Sequence, residues 1–140
     1  MTAKEYLQQY GDAVEYEAQV REEYQEQNAL INNIRSSLGG DGLPRGSDVT
    51  SEVEAKAIAL AEKAQELKEA EIWAVATRQQ IYKTIERVPG VPRDVLIERY
   101  VHLKKWNDVA AAVNYSVSHT KWNLHNRGLD YIQEMIDGKR

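Results

Sequence analysis

Apolar side chains recur at steps of three and four along most of the chain, a rhythm that predicts helices. The first run is Ala3, Tyr6, Tyr10, Ala13, Glu17, Val20, Tyr24, Gln27, Ile31, Ile34 and Leu38, of which nine of eleven are apolar or aromatic. A seam this regular favours a coiled-coil contact over a solvated helix. Thr2-Ala3-Lys4-Glu5 has the form of a capping box, so the helix is expected to start there and run to about Leu38. The second run is Val53, Ala57, Leu60, Ala64, Leu67, Glu71, Ala74, Arg78, Ile81, Ile85 and Val88, again nine of eleven apolar. It is expected to open at the capping-box pattern Ser51-Glu52-Val53-Glu54 and to stop by Val88-Pro89-Gly90. Between the runs, residues 36–50 contain Gly39, Gly40, Gly42, Gly46 and Pro44 and read as a flexible linker.

Two helices of matched length and pattern joined by a linker predict an antiparallel hairpin. Pairing outward from the linker sets Leu38 near Val53 and brings the polar interruptions Glu17 and Arg78 within a turn of each other, so an ion pair is expected there. The second helix also carries Ile58, Ala61, Ile72, Val75 and Tyr82 on its other side, with Trp73 nearby. A helix with two apolar strips is normally sandwiched. The covering layer is either the chain's own C-terminal part or another subunit, and a homodimer through the hairpin is the expectation.

After Pro92, the residues Val95, Leu96, Arg99, Tyr100 and Leu103 predict a supporting helix. Trp106, Val109, Ala110 and Val113 then give a short helix, and Asn114 suits the left-handed conformation of a tight turn. Ser116 stands where an N-cap belongs, opening a last helix. The layout is that of a helix-turn-helix, whose second helix enters the DNA major groove in proteins that use it so. With Leu124 set inward at 100° per residue, Val117, Lys121, Gly128, Tyr131 and Met135 fall on the same side. His119, Asn123 and Asn126 lie on the far side, bordered by Trp122 and Arg127. His125 lies on the flank with Leu129, Ile132 and Ile136 and reads as a core-edge histidine.

The expected fold is therefore all-α: a long antiparallel, coiled-coil-like helical hairpin over residues 1–88, and a C-terminal helix-turn-helix domain over 92–140. The expected base readers are His119, Asn123, Asn126 and Trp122, since asparagine pairs bidentately with adenine and histidine donates or accepts. Lys104, Lys105, Ser116, Ser118, Lys121 and Arg127 suit phosphate contacts that fix register.

The charge distribution fits that picture in sign. The net charge is −4. Residues 1–92 carry 10 basic against 16 acidic side chains, and residues 93–140 carry 8 against 6, so the excess is −6 in the first part and +2 in the second. An acidic handle and a mildly basic head match a nucleic-acid reader. Zero cysteines excludes disulfides and thiolate metal sites, which points to the cytoplasm. No apolar run reaches the roughly 18 residues of a membrane span. The linker lacks the strand, the helix and the Lys-Ser/Thr pair of a phosphate-binding loop. The three histidines have no metal-ligand spacing, and no nucleophile-base grouping is evident, so no metal, cofactor or catalytic residue is expected.

Trp106-Asn107-Asp108-Val109-Ala110 followed by Asn114-Tyr115-Ser116 resembles region 4 of bacterial sigma-70-type factors. The whole chain is similar to small phage and prophage proteins described as late transcriptional regulators or sigma-like proteins. The similarity lies in the opening Met1-Thr2-Ala3-Lys4-Glu5-Tyr6-Leu7, the linker Leu43-Pro44-Arg45-Gly46-Ser47 and the ending Leu124-His125-Asn126-Arg127-Gly128-Leu129. The resemblance implies a sigma-4-like domain, binding to double-stranded promoter DNA and contact with RNA polymerase in the bacterial host cytoplasm. The chain departs from the sigma pattern in three places. Asn114 replaces a glycine, Lys105 stands where a Ser/Thr cap is common with Asn107 as substitute, and the stretch from Ser116 to Leu129 is one residue longer. A region for opening promoter DNA is also not recognisable. Two other readings compete: a DNA-packaging component like a small terminase subunit, and a protein-protein interaction module working through Trp73 or Trp122.

Overall fold

The computed structural model describes residues 1–38 and 47–140, and the described residues form an all-helical protein. Helix α1 is Ala3–Leu38 and α2 is Ser47–Glu86. Helix α3 covers 91–101, with Val91–Leu96 α-helical and Ile97–Val101 a π-helical turn. Helix α4 is Trp106–Val113. Helix α5 covers 117–136, in which Val117–His119 and His125–Ile136 are α-helical and Thr120–Leu124 is a π-helical turn.

Local chemistry accounts for most boundaries. At the start of α1 the capping box closes in both directions: the Glu5 N–H donates to Thr2 Oγ1 at 3.1 Å, and the Thr2 N–H donates to the Glu5 carboxylate at 3.0 Å. The next free donor, the Ala3 N–H, is taken by Gln133 Oε1 of α5 at 2.8 Å. Helix α2 begins at Ser47, one turn before the expected Ser51, so the Ser51-Glu54 pattern lies inside the helix. Gly46 is the last glycine or proline before Pro89, and nothing between them prevents the earlier start. Of the expected linker, residues 36–38 and 47–50 are helical, and 39–46 lie outside the described residues. Gly90, at φ +76°, turns the chain between α2 and α3, a conformation open to glycine without strain. Pro92 in the first turn of α3 needs no N–H there.

The chain divides into two compact units, one of Met1–Val14 with Ala74–Arg140 and the other of Glu15–Trp73. The expected division at 88–92 falls inside the first unit. In that unit the ends of the hairpin pack against the C-terminal helices. Ala3 and Leu7 of α1 meet Ile81 and Ile85 of α2, Val88 of the turn after it, Leu96, Tyr100 and Val101 of α3, and Ile132 of α5 in one core. The Tyr6 hydroxyl is 2.8 Å from Thr84 Oγ1, which joins the two hairpin arms. Val95, Val109 and Leu124 make a second cluster that binds α3, α4 and α5, with Trp106 and Val113 packed on it.

The Glu15–Trp73 unit is the middle of the hairpin. Val20, Ile31 and Ala70 are buried in its seam. Polar side chains close its sides: Arg21 bridges Glu17 at 2.8 Å and Glu71 at 2.9 Å, Lys63 bridges Glu23 at 2.8 Å and Glu66 at 2.9 Å, and Tyr16 donates to Glu66 at 3.1 Å. The two carboxylates beside Lys63 hold its ammonium well above its usual range, and Lys63 in turn lowers Glu23.

The phase of α2 differs from the expected seam. Leu60, Leu67, Ala74, Ile81 and Val88 face inward as expected, but the companion column is Lys63, Ala70 and Thr77. Ala64 and Arg78 are exposed instead. Both columns sit at heptad spacing, and the helix buries small Ala70 and Thr77 in preference to charged Glu71 and Arg78. The expected Glu17–Arg78 pairing is therefore replaced by Glu17–Arg21 and Arg21–Glu71. The second apolar strip of α2, with Ile58, Ile72, Trp73, Val75 and Tyr82, is exposed, so the C-terminal helices do not supply its covering layer.

Candidate nucleic-acid interface

The helix-turn-helix is built from α4, a three-residue turn and α5. Asn114 adopts the left-handed conformation, φ 63° and ψ 38°, as its residue type predicts. Ser116 caps α5, its hydroxyl accepting the His119 N–H at 3.1 Å. Lys105 occupies the N-cap of α4 and provides no side-chain cap, and neither does Asn107. Leu103, just before α4, takes φ +56°, an uncommon conformation for leucine that ends α3 abruptly.

The expected base readers form one row on the outer side of α5. Asn123 and Asn126 are exposed, His119 is half-buried and Trp122 is 62 % exposed. Asn123 Nδ2 lies 2.9 Å from His119 Nδ1, and Asn126 Nδ2 donates to the Trp122 carbonyl at 2.7 Å. In each of these contacts the amide uses its nitrogen, and the carbonyl oxygen remains as an acceptor. The Tyr115 ring sits 5.1 Å from that of His119 and flanks the row. Lys121 Nζ lies 5.1 Å from the Trp122 ring centroid.

Of the expected phosphate contacts, Lys105, Ser116, Ser118 and Arg127 are exposed and Lys121 is half-buried. Lys104 differs in having its ammonium 2.5 Å from Glu98, which also meets His102 Nδ1 at 3.2 Å. The hydrogen bond from Lys104 holds the Glu98 carboxyl below its usual range. The charge of Lys104 is thereby answered within the molecule.

Behind the row lies a buried polar cluster. His125 is 6 % exposed. Its Nε2 is 2.7 Å from the Tyr100 hydroxyl, its ring stacks on Tyr100 at 5.7 Å, and Trp106 meets it edge-on at 4.7 Å. Arg99 covers the Trp106 ring at 4.7 Å and donates to the Lys104 carbonyl at 2.8 Å. Burial pulls His125 down to about 4 and pushes Tyr100 up to about 12. Placing His125 at the core edge was within reach of helical periodicity. Its partners are 19 to 26 residues away, and no local pattern announces them.

The π-helical turn at Thr120–Leu124 also lies beyond the uniform 100° wheel. A π turn takes up one residue more than an α turn. It rotates what precedes it, so Val117, expected inward, is exposed. Thr120 is fully buried at the start of this turn. Its N–H donates to the Ser116 carbonyl at 2.9 Å, while its hydroxyl oxygen has no hydrogen-bond partner among the described residues. Replacing it with an apolar side chain of the same shape removes a desolvated hydroxyl. Thr120→Val is expected to raise stability by about 1–3 kcal/mol, read as a higher urea midpoint with an unchanged slope.

Among the described residues, no group of three or more His, Cys, Asp or Glu side chains is arranged to hold a metal ion, and no helix is long and apolar enough to cross a membrane. No protein-family model, curated protein or solved structure matches the chain.

Proposed function

We propose that this chain binds double-stranded DNA through α5 and acts, as two copies, as a sigma-like transcriptional regulator of phage or prophage genes. The observation that carries the reading is the row of His119, Asn123 and Asn126, open on one side of a capped helix, with both asparagines exposed. Lys105 at the start of α4 and Lys121 and Arg127 on α5 supply positive charge suited to phosphate. The sigma region 4 resemblance of Trp106 to Ser116 adds promoter DNA as the target and RNA polymerase as a second partner.

Selection of fragments from the genome that encodes the chain, at physiological salt, tests this reading. Enrichment beside a promoter supports it. Enrichment at a packaging site points instead to a packaging component, and no enrichment leaves a protein-binding module. On an enriched fragment, binding is expected to weaken with salt. Removing the charge of Lys105, Lys121 or Arg127 each lowers the log–log salt slope by about one. Asn123→Ala is expected to cost about tenfold to a hundredfold on the selected site while leaving that slope unchanged. Equal losses on selected and unrelated fragments would remove Asn123 as a base reader.

A further inference from the structure

Helix α2 carries a second seam that the chain itself leaves open. Steps of three and four lead from Ile58 through Ala61, Gln65, Lys68, Ile72, Val75 and Gln79 to Tyr82, and all of these side chains are exposed. The strip is about 36 Å long at the α-helical rise. Its flanks are segregated by charge, with Glu62 and Glu71 beside its first half and Arg78 and Lys83 beside its second. Among the described residues Glu62, Arg78 and Lys83 enter no ion pair, and Glu71 meets only Arg21.

We propose that a second copy of this chain covers this strip from Ala61 to Tyr82, with the two α2 helices antiparallel about a two-fold axis passing between Trp73 and Ala74. This deepens the two-copy part of the reading above by naming its interface. In this register Ile72 meets Val75 of the second copy, and the symmetry repeats that contact, so four β-branched side chains fill the centre. Lys68 lies opposite Gln79 and Gln65 opposite Tyr82, polar against polar or amphipathic. Along the flanks Glu71 faces Arg78 and Glu62 faces Lys83, each pair occurring twice.

The alternatives fare worse on the same residues. An antiparallel register centred near Ala70 sets Ile72 against Lys68 and Val75 against Gln65. A parallel pair sets Lys68 against its own copy and Arg78 beside Lys83, and like charges so placed repel.

Sedimentation equilibrium of the full chain without DNA tests the pairing separately from the nucleic-acid reading. The wild type is expected to dimerise. Glu62→Lys and Lys83→Glu, at exposed positions with no ion pair inside the chain, each weaken the dimer about three- to tenfold, and the double exchange restores it. Ile72→Glu weakens it about a hundredfold or more while helical circular dichroism stays unchanged, since Ile72 is 60 % exposed in the single chain. A wild type that is monomeric at every concentration overturns the proposal. So does a Lys83→Glu variant that dimerises more tightly, the result a parallel pair would give by relieving Arg78. A double exchange as weak as the single ones also overturns it.

Discussion

Leu96→Ala is expected to remove about 2–5 kcal/mol of stability, and the loss should shrink when Gly128 is replaced by alanine in the same chain. Leu96 is fully buried where α3 crosses α5. The crossing is close because position 128 has no side chain. A Cβ built on Gly128 would stand 2.8 Å from Leu96 Cδ1 and 3.0 Å from Leu96 Cγ. In the wild type, Gly128→Ala therefore sets two effects against each other. Alanine gains about 1 kcal/mol in helix propensity, and forcing Leu96 out of its rotamer costs about 1–3 kcal/mol. The net change is small or destabilising. In the Leu96→Ala background the crowding term vanishes and the propensity gain remains, so the same substitution should stabilise. Urea unfolding of the two single variants and the double variant closes the cycle, with an expected coupling of about 1–3 kcal/mol. Additive losses would show that the helices separate to admit the methyl group and that the close approach is not what glycine secures.

Gly128 illustrates how far the sequence alone reaches. Periodicity puts it on the inward side of α5, but the reason for a glycine there is a leucine 32 residues earlier on another helix. What is legible in the chain is local. The Thr2-Glu5 box, the left-handed Asn114 and the Ser116 cap are each decided by a few neighbouring atoms, and each is found as expected. The all-helical hairpin follows from period alone, and every expected α1 seam position from Ala3 to Ile34 is buried or half-buried.

The misses are of another kind. Leu7 lies off the expected seam yet is fully buried, because α1 meets the C-terminal helices as well as α2. The α2 columns Ala70-Thr77 and Glu71-Arg78 have the same spacing, and the desolvation cost of charge favours burying the first at these two positions. Lys63 precedes Ala70 in the inward column and is held there by Glu23 and Glu66. The π turns follow no composition rule, and one of them shifts the phase of α5 at the start of the reader row. At the candidate interface, the outward placement of Asn123 and Asn126 was legible from the wheel. The engagement of Lys104 by Glu98, and the bonds that orient the two amides, emerge only in three dimensions.

The buried His125 makes the C-terminal helices sensitive to acid in a definable window. In the folded chain its imidazole is neutral and satisfied. It hydrogen-bonds the Lys121 backbone, and its Nε2 meets the Tyr100 hydroxyl at 2.7 Å. Burial is the main reason its pKa falls from 6.5 to about 4, and the positive charges of Lys4, Arg99 and Lys121 push the same way. A depressed histidine pKa means that the unfolded state takes up the proton first. The stabilisation is complete above pH 6.5 and fades as pH drops toward 4, because folding must then expel a proton. The loss is about 2 kcal/mol by pH 5 and about 3 kcal/mol in full. The paired carboxylates Glu23 and Glu98 are also lowered, but from an ordinary value of 4.5, so their contribution disappears mainly below pH 5. Urea unfolding of wild type and a His125 variant, each at pH 7.5 and pH 5.0, therefore isolates this histidine from His102, His119 and the carboxylates. His125→Gln is expected to be less stable than wild type at pH 7.5 and to lose little more at pH 5.0, so the gap between the two narrows by about 2 kcal/mol. Nuclear magnetic resonance of the ring protons gives the direct check. A His125 resonance that titrates near pH 6.5 in the folded chain would mean that solvent reaches the ring between Tyr100 and Trp106, and the acid-sensitive link between α3, α4 and α5 would be absent.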